Sequence, residues 1–233
     1  MTLSGRVAFI TGGTGALGQA VTLRLLAEGA VVCVAWIVER EHEDLQARVK
    51  PGERERLITA RADVTDEAAL AALVQAIRAR HQRLDILMAL VGGFAAGNLV
   101  ETDRATWERM LGLNLTSAFT AARAVVPEMV AAGHGRIVTV GSRAVFPPTG
   151  GFIAYTVAKA GVIAFTQALA QELKGSGVTA NCVLPSTMDT PANRAAMPDS
   201  DRRGWVPVDG VADAIAWLAR DEARHVTGSI ITI

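Results

Sequence analysis

Residues 6–29 read RVAFITGGTGALGQAVTLRLLAEG. A short apolar run, a glycine-rich turn and a helical pattern closed by Gly29 follow one another without a break. That order predicts a strand over 6–10, a tight turn and then a helix. The turn has two registers. Gly13, Gly15 and Gly18 spell G-x-G-x-x-G. Counted from Thr11 and Gly12, the same stretch spells T-G-x-x-x-G-x-G, with Ala16 where a middle glycine would stand.

The rest of the chain repeats the alternation. Strands are expected at 30–36, 84–92, 135–142, 178–185 and 228–233, and a further one in RLITARAD (56–63). Helices are expected at 66–81, entered by Asp63 or Thr65 as a cap, over 154–177, ended by Gly175 and Gly177, and over 210–223, with Asp209 as a cap. The stretch 103–133 holds one long helix or two joined ones. The strands are apolar almost throughout, as in a parallel sheet covered on both faces. Strict alternation then gives an α/β fold: a single doubly wound Rossmann-type domain over 1–233, with a mostly parallel seven-stranded sheet. The main irregular stretch, 186–208, follows a strand's C-terminal end, where ligands bind in such folds, and is expected to be a substrate loop.

Composition narrows the function classes. Lys plus Arg number 23 and Asp plus Glu 23, for a formal net charge of +0, so binding to nucleic acid or to a membrane surface by charge is not expected. The N-terminal apolar run is too short for a signal peptide, and no continuous apolar stretch of about 18 residues predicts a membrane span. Cys33 and Cys182 fall in expected buried strands and read as reduced core thiols. A cytoplasmic protein is the expectation.

Glycines at a strand-to-helix turn let the backbone approach a pyrophosphate, which then sits on the helix N-terminus. The segment 6–29 supplies that context, so a dinucleotide is the expected cofactor. Asp63 follows the possible third strand and suits either an adenine amino group or a helix cap. An acidic residue at the end of the second strand takes a ribose 2′-hydroxyl, and an arginine there takes a 2′-phosphate. Trp36 and Ile37 occupy those positions and do neither, while Glu39 and Arg40 lie further on. NAD and NADP both stay open.

The chemistry sits in YTVAK, with Tyr155 and Lys159 four residues apart and so on one helix face. A phenol titrates near 10, and a neighbouring ammonium stabilises its anion. A tyrosine so tuned passes a proton to a carbonyl oxygen. Taken alone the pair also fits a surface tyrosine and a solvated lysine. Ser142 ends the strand before Tyr155, at the ligand edge of the fold, and suits a substrate oxygen or an ordinary turn. Asn114 stands among apolar residues inside an expected helix, where it either bends the helix and holds water or is a satisfied core amide.

Together these features resemble the short-chain dehydrogenase/reductase family over essentially the whole chain. TGGTGALG is similar to its glycine motif, Asp63-Val64 to its adenine-contact motif, and NLT (114–116) to the motif of its asparagine. Ser142, Tyr155 and Lys159 have its order and spacing. LPSTMDT (184–190) is similar to its P-G-x-x-x-T segment, with Ser186 replacing a glycine. The resemblance implies a hydride transfer between nicotinamide and a carbonyl/alcohol pair. Tyr155 would be the acid/base, Ser142 would orient the substrate oxygen, and Lys159 would lower the tyrosine pKa and hold nicotinamide ribose hydroxyls. Asn114 would position a water in a proton relay. It further implies cofactor contacts from Thr11, Gly12, Gly15, Leu17, Trp36, Asp63, Val64, Gly92, Tyr155, Lys159 and Pro185, with Thr190 and the Met188 backbone at the carboxamide. No metal is implied. Where the family has two asparagines after its fourth strand, this chain has Ala89 and Leu90, so those amide hydrogen bonds are absent.

GALG, GGFAAGN (92–98) and DTPANRAAMPDSDRRGWVP (189–207) resemble the dihydropteridine reductase branch. That branch lacks the serine and carries an aspartate where this chain has Trp36, so Ser142 favours carbonyl/alcohol chemistry. Reduction of a C=N or quinonoid substrate and a non-catalytic nucleotide-binding module are the alternatives. The substrate pocket is expected to draw on Phe94, Val145, Phe146, Ile153 and the 186–208 loop, which suits a hydrophobic or cyclic carbonyl compound. The family is commonly tetrameric through the helices carrying Asn114 and Tyr155, which implies a homotetramer or homodimer. Ala16 adds one methyl near the pyrophosphate path. Replacing it by Gly is expected to change dinucleotide affinity by less than tenfold, about 1.4 kcal/mol, in a binding titration.

Overall fold

A computed structural model describes residues 2–233. The chain runs β1 (Val7–Thr11), α1 (Ala16–Ala27), β2 (Val31–Trp36), α2 (Glu39–Arg48), β3 (Leu57–Arg61), α3 (Glu67–His81) and β4 (Ile86–Ala89). It continues through α4 (Arg104–Leu111), α5 (Ser117–Ala132), β5 (Gly135–Val140), α6 (Ile153–Glu172), β6 (Val178–Leu184), α7 (Pro191–Ala196), α8 (Val208–Leu218) and β7 (Ile230–Thr232). The seven strands form one sheet in the order β3-β2-β1-β4-β5-β6-β7, and every pairing is parallel. This is the doubly wound α/β fold the alternation predicts.

Successive side chains on a strand point to opposite faces. Ala8 and Ile10 of β1 therefore pack with Val21, Leu25, Val211 and Ile215 of α1 and α8. Val7 and Phe9 pack on the other face with Leu70 and Val74 of α3 and Ala121 and Val125 of α5. All five residues of β1 are buried, which is why it reads as a continuous apolar run rather than an alternating one. Burying a side chain such as Phe9 contributes about 1.5–3 kcal/mol.

Strand order reverses between β1 and β4, which opens a crevice at their C-terminal ends. Register levels those ends: Thr11 pairs with Ala35 of β2 and with Ala89 of β4. At the opposite ends, buried Asp85 ties β1 to β4. Its carboxylate accepts from the Val7 N–H at 2.8 Å, from Arg83 at 2.6 and 2.7 Å, and from Arg6 at 3.3 Å. Burial works to raise the Asp85 pKa, but Arg83, the Val7 N–H and Arg6 outweigh it and hold the carboxyl below its usual range.

Several local expectations change. Helix α3 is capped by Asp66, which accepts from the N–H groups of Ala68 and Ala69 at 2.9 and 3.0 Å. Asp63 instead accepts from the Thr65 backbone and hydroxyl, at 2.8 and 2.7 Å, so neither Asp63 nor Thr65 is the cap. Helix α8 starts at Val208 after Pro207, which leaves Asp209 in the first turn, where its charge complements the helix dipole, and not at the cap. Helix α2 has no apolar period for sequence reading to detect; only Leu45 of it is buried. The 186–208 stretch is not wholly irregular. Thr190 caps α7 by accepting from Asn193 N–H at 3.1 Å, and Pro191 fills the first turn. The ends of the stretch are pinned together, Val206 N–H donating to Thr187 O and Asp189 N–H to Val206 O, both at 2.9 Å.

One helix, α6, has 20 residues and a mean hydropathy of 1.4, enough by length and composition to cross a membrane. A count of consecutive apolar residues does not find it, because Tyr155, Thr156, Lys159 and Thr166 interrupt it. Here it packs on β5, β6 and α4 as a covering helix of the sheet.

Asp85→Asn removes the charge that Arg6 and Arg83 share. It is expected to cost about 3 kcal/mol in denaturant unfolding, in the range for breaking a buried ion pair. Asp66→Ala, which only uncaps α3, is expected to cost about 1 kcal/mol.

Candidate active site

The glycine turn stands against the start of the β4 loop. Gly12 has φ +69°, and a Cβ there would lie 2.9 Å from the Val91 nitrogen. A Cβ on Gly18 would lie 1.9 Å from the Gly12 carbonyl oxygen. Gly12 belongs to the T-G-x-x-x-G-x-G register alone and Gly18 to both; a Cβ on Gly13, of the other spelling, would lie 2.7 Å from the Val34 side chain. A Cβ on Gly15, by contrast, would meet nothing nearer than 3.7 Å. Gly15 precedes α1 with no side-chain cap, so the first N–H groups of that helix face the crevice unclaimed by any side chain.

A cleft of about 250 Å³ opens there, lined among others by Gly12, Gly15, Trp36, Asp63, Val64 and Gly92. Six of the residues expected at a dinucleotide thus come together. Leu17 turns its side chain into the core, leaving its backbone N–H at the helix start. Thr11 is buried, and its Oγ1 has no hydrogen-bond partner in the protein. A bare helix N-terminus and a turn whose Gly12 and Gly15 bring backbone to the cleft wall fit a dinucleotide pyrophosphate; the buried Thr11 hydroxyl does not line the cleft.

The chemical residues gather at the other side of Gly92. A Cβ on Gly92 would lie 2.8 Å from Asn114 Oδ1 and 3.2 Å from Lys159 Nζ, so the cleft meets both side chains at a residue that has none. Asn114 lies in a π-helical turn, Gly112–Thr116, joining α4 to α5. Its Nδ2 donates to Met110 O at 2.9 Å and to Gly93 O at 3.1 Å, and its Oδ1 accepts from Gly93 N–H at 3.2 Å. The Met110 carbonyl is the one residue 114 would bind through its backbone in an α-helix. The side chain thus takes over that bond as the helix widens, and both its amide hydrogens are engaged.

Ser142 lies just beyond β5 and is buried. Tyr155 and Lys159 lie in the first two turns of α6, Nζ 5.9 Å from the tyrosine ring centroid. Burial pushes the Tyr155 phenol above its ordinary value, with the Ser142 hydroxyl pulling the other way. Burial also pushes the Lys159 ammonium down to about 8. Its Nζ donates to the Val140 carbonyl at 2.8 Å, which anchors it under the end of β5.

Phe94 stands edge-on to Tyr155 with ring centroids 5.1 Å apart, and Phe152 lies at 6.2 Å. Phe94 is 60% exposed and Phe146 59%, whereas Val145 is buried in the core. Sequence reading missed Phe152; its one signal was its place three residues before Tyr155. The loop after β4 is tied to the entry of α6, Gly97 N–H donating to Gly151 O at 2.7 Å and Ile153 N–H to Gly97 O at 3.2 Å. At the end of β6, the Pro185 carbonyl accepts from Arg143 N–H at 3.1 Å. The Met188 carbonyl is taken by Thr190 N–H and Asn193 Nδ2, at 3.0 and 2.8 Å. Among the described residues no cluster of His, Cys, Asp or Glu could hold a metal ion.

A sequence profile described as short chain dehydrogenase matches residues 6–201. The chain belongs to the short-chain dehydrogenase/reductase family and is a nicotinamide-dependent oxidoreductase of it. It is 31% identical to the 3-oxoacyl-[acyl-carrier-protein] reductase FabG of Escherichia coli, covering 100% of this chain and 97% of that protein. It is 32% identical to the 2,5-dichloro-2,5-cyclohexadiene-1,4-diol dehydrogenase LinX of Sphingobium indicum, covering 97% and 93%. The fold is similar to that of levodione reductase, with a TM-score of 0.89 at 25% identity over 99% of this chain and 96% of that one.

The Lys159 shift predicts a pH dependence. The unfolded lysine holds its proton up to its ordinary value of 10.5 and the folded one only to about 8, so the folded state gains stability as pH rises between them. The thiols of Cys33 and Cys182, both pushed up by burial, work in the opposite sense. The readout is therefore the difference in Tm between the wild type and Lys159→Met, each without dinucleotide. Between about pH 8 and 10 it is expected to move in favour of the wild type.

Proposed function

We propose that this protein transfers hydride between a nicotinamide dinucleotide in the crevice and a hydrophobic or cyclic carbonyl/alcohol substrate, with Tyr155 as the acid/base. The observation that carries this reading is the meeting of the dinucleotide cleft, Asn114 and Lys159 at Gly92, with Tyr155 one helical turn from Lys159. The bound dinucleotide supplies the hydride in reduction and takes it up in oxidation. Tyr155 donates its proton to the carbonyl oxygen as the carbon is reduced, and its phenolate recovers a proton from the alcohol in the reverse direction. Ser142, placed to hydrogen-bond the phenol, orients the substrate oxygen. Lys159 would hold the nicotinamide ribose hydroxyls, and its Nζ, 5.9 Å from the Tyr155 ring centroid, would bring a positive charge toward the phenolate as it forms.

Asn114 acts here through position. With both amide hydrogens on Met110 O and Gly93 O, its side chain fixes the Gly92–Gly93 backbone, and a relay water at Asn114 would be held through oxygen acceptors. Thr190 accepts from Asn193 N–H, which leaves its hydroxyl hydrogen for the carboxamide, beside the Met188 N–H. The aromatic wall of Phe94 and Phe152 and the exposed Phe146 support an apolar ring as substrate, with the 186–208 stretch completing the pocket. Proteins named for a cyclohexadienediol and for levodione are among those this chain resembles. Exposed Phe119 and Val157 on the outer faces of α5 and α6 support a homodimer or homotetramer, and two free buried thiols suit the cytoplasm.

A screen of cyclic ketones and diols with each dinucleotide tests the reading. On a substrate so found, Tyr155→Phe is expected to lower kcat/KM by about two to four orders of magnitude. Full turnover by that variant overturns the mechanism. Turnover of a quinonoid dihydropterin that Ser142→Ala leaves unchanged assigns the chain instead to C=N or quinonoid reduction.

A further inference from the structure

We infer that the crevice selects a dinucleotide whose adenosine ribose carries a free 2′-hydroxyl, and that Glu41, on α2, does the selecting. The inference rests on the dinucleotide reading of the cleft. At the end of β2, where an acidic or basic residue ordinarily decides between the two dinucleotides, the chain has Trp36 and Ile37. The structure supplies a carboxylate from elsewhere. Glu41 lies in the first turn of α2, lines the cleft and is half-buried.

Its position is fixed from two sides. Thr14 Oγ1, in the glycine turn, donates to Glu41 Oε2 at 3.2 Å. Gln19 Nε2 donates to the Thr14 carbonyl at 2.9 Å and to the Glu41 carbonyl at 3.4 Å, which locks the start of α2 to the first turn of α1. Arg48, a cation of the same helix, donates to Gln19 Oε1 at 2.7 Å and so braces this network instead of entering the cleft.

Charge in the cleft is of one sign. Glu41 and Asp63 are its only Asp, Glu, Lys, Arg or His side chains; Arg40 and Arg61 lie close in sequence but do not line it. Asp63 Oδ1 is held by Thr65, and that bonding keeps its carboxyl below the usual range. A ribose hydroxyl donates to such a carboxylate in a charge-assisted hydrogen bond. A 2′-phosphate carries up to two negative charges and meets only carboxylates among the charged side chains that line the cleft. Trp36, stacked on His42 with ring centroids 4.3 Å apart, fills the strand end with an uncharged ring.

The test is equilibrium binding to the whole protein by calorimetry, with NADH and NADPH as separate titrants and no substrate. NADH is expected to bind at least about tenfold more tightly. Glu41→Gln is expected to narrow that ratio by about threefold or more, chiefly by tightening NADPH. Ile37→Arg, at an exposed position on the rim, is expected to tighten NADPH without loosening NADH, and does not depend on how Glu41→Gln folds. NADPH binding equal to or tighter than NADH in the wild type overturns the inference, as does an unchanged ratio in folded Glu41→Gln. Failure of both dinucleotides to bind overturns the dinucleotide reading itself, a separate result.

Discussion

The crevice depends on one close approach of backbone to backbone. The turn after β1 lies against the segment leaving β4, with no room between Gly12 and the Val91 nitrogen for a side chain. Because strand order reverses at this pair, the two loops diverge beyond the contact, and the gap is where a ligand fits. The same two strands are fastened at their other ends by Asp85, which joins the Val7 N–H to Arg6 and Arg83. A neutral contact at one end and an ionic one at the other hold β1 and β4 in register, and the levelled strand ends place Gly12 against Leu90 and Val91, next to Gly92 in the chain.

Past Gly92 the constraint becomes electrostatic. A buried ammonium is unfavourable unless something nearby accepts its hydrogens, and Lys159 finds only the Val140 carbonyl. The protein keeps that group there with its proton affinity lowered and keeps the Tyr155 phenol with its proton held more tightly. Both groups sit in environments that disfavour their charged forms. Perturbed groups of this kind cluster at sites where a ligand and a proton transfer use the charge.

Sequence made some of the site legible and hid the rest for definite reasons. Tyr155 and Lys159 were legible because helical spacing puts residues four apart on one face. Ser142 was legible from its place at a strand end. Asn114 was legible as a misfit in an apolar helix, but its actual role in a π-helical turn needs the Met110 and Gly93 carbonyls in place. Glu41 was hidden because α2 has almost no buried face, so no periodicity announced the helix or its direction. Asp63 alone read more readily as a helix cap than as an adenine contact, and only the tertiary structure separates its turn with Thr65 from the cap that Asp66 provides. Helix α6 shows the reverse problem: its hydropathy fits a bilayer, while its contacts make it a wall of the sheet.

The sequence by itself determined the alternation of strands and helices, hence a parallel sheet covered on both faces, and the backbone turn at residues 11–18. Those follow from local physics: which residues tolerate a tight turn, which spacing faces a core, which run can be buried on two sides. Only the tertiary structure decided the strand order, the meeting of the cleft with Asn114 and Lys159 at Gly92, and the sign of the charge lining the cleft. Each of these joins groups distant along the chain. Contacts such as Thr14 with Glu41, or Val7 with Asp85, form when packed helices and strands bring separate segments together, and no local pattern encodes the distance between them.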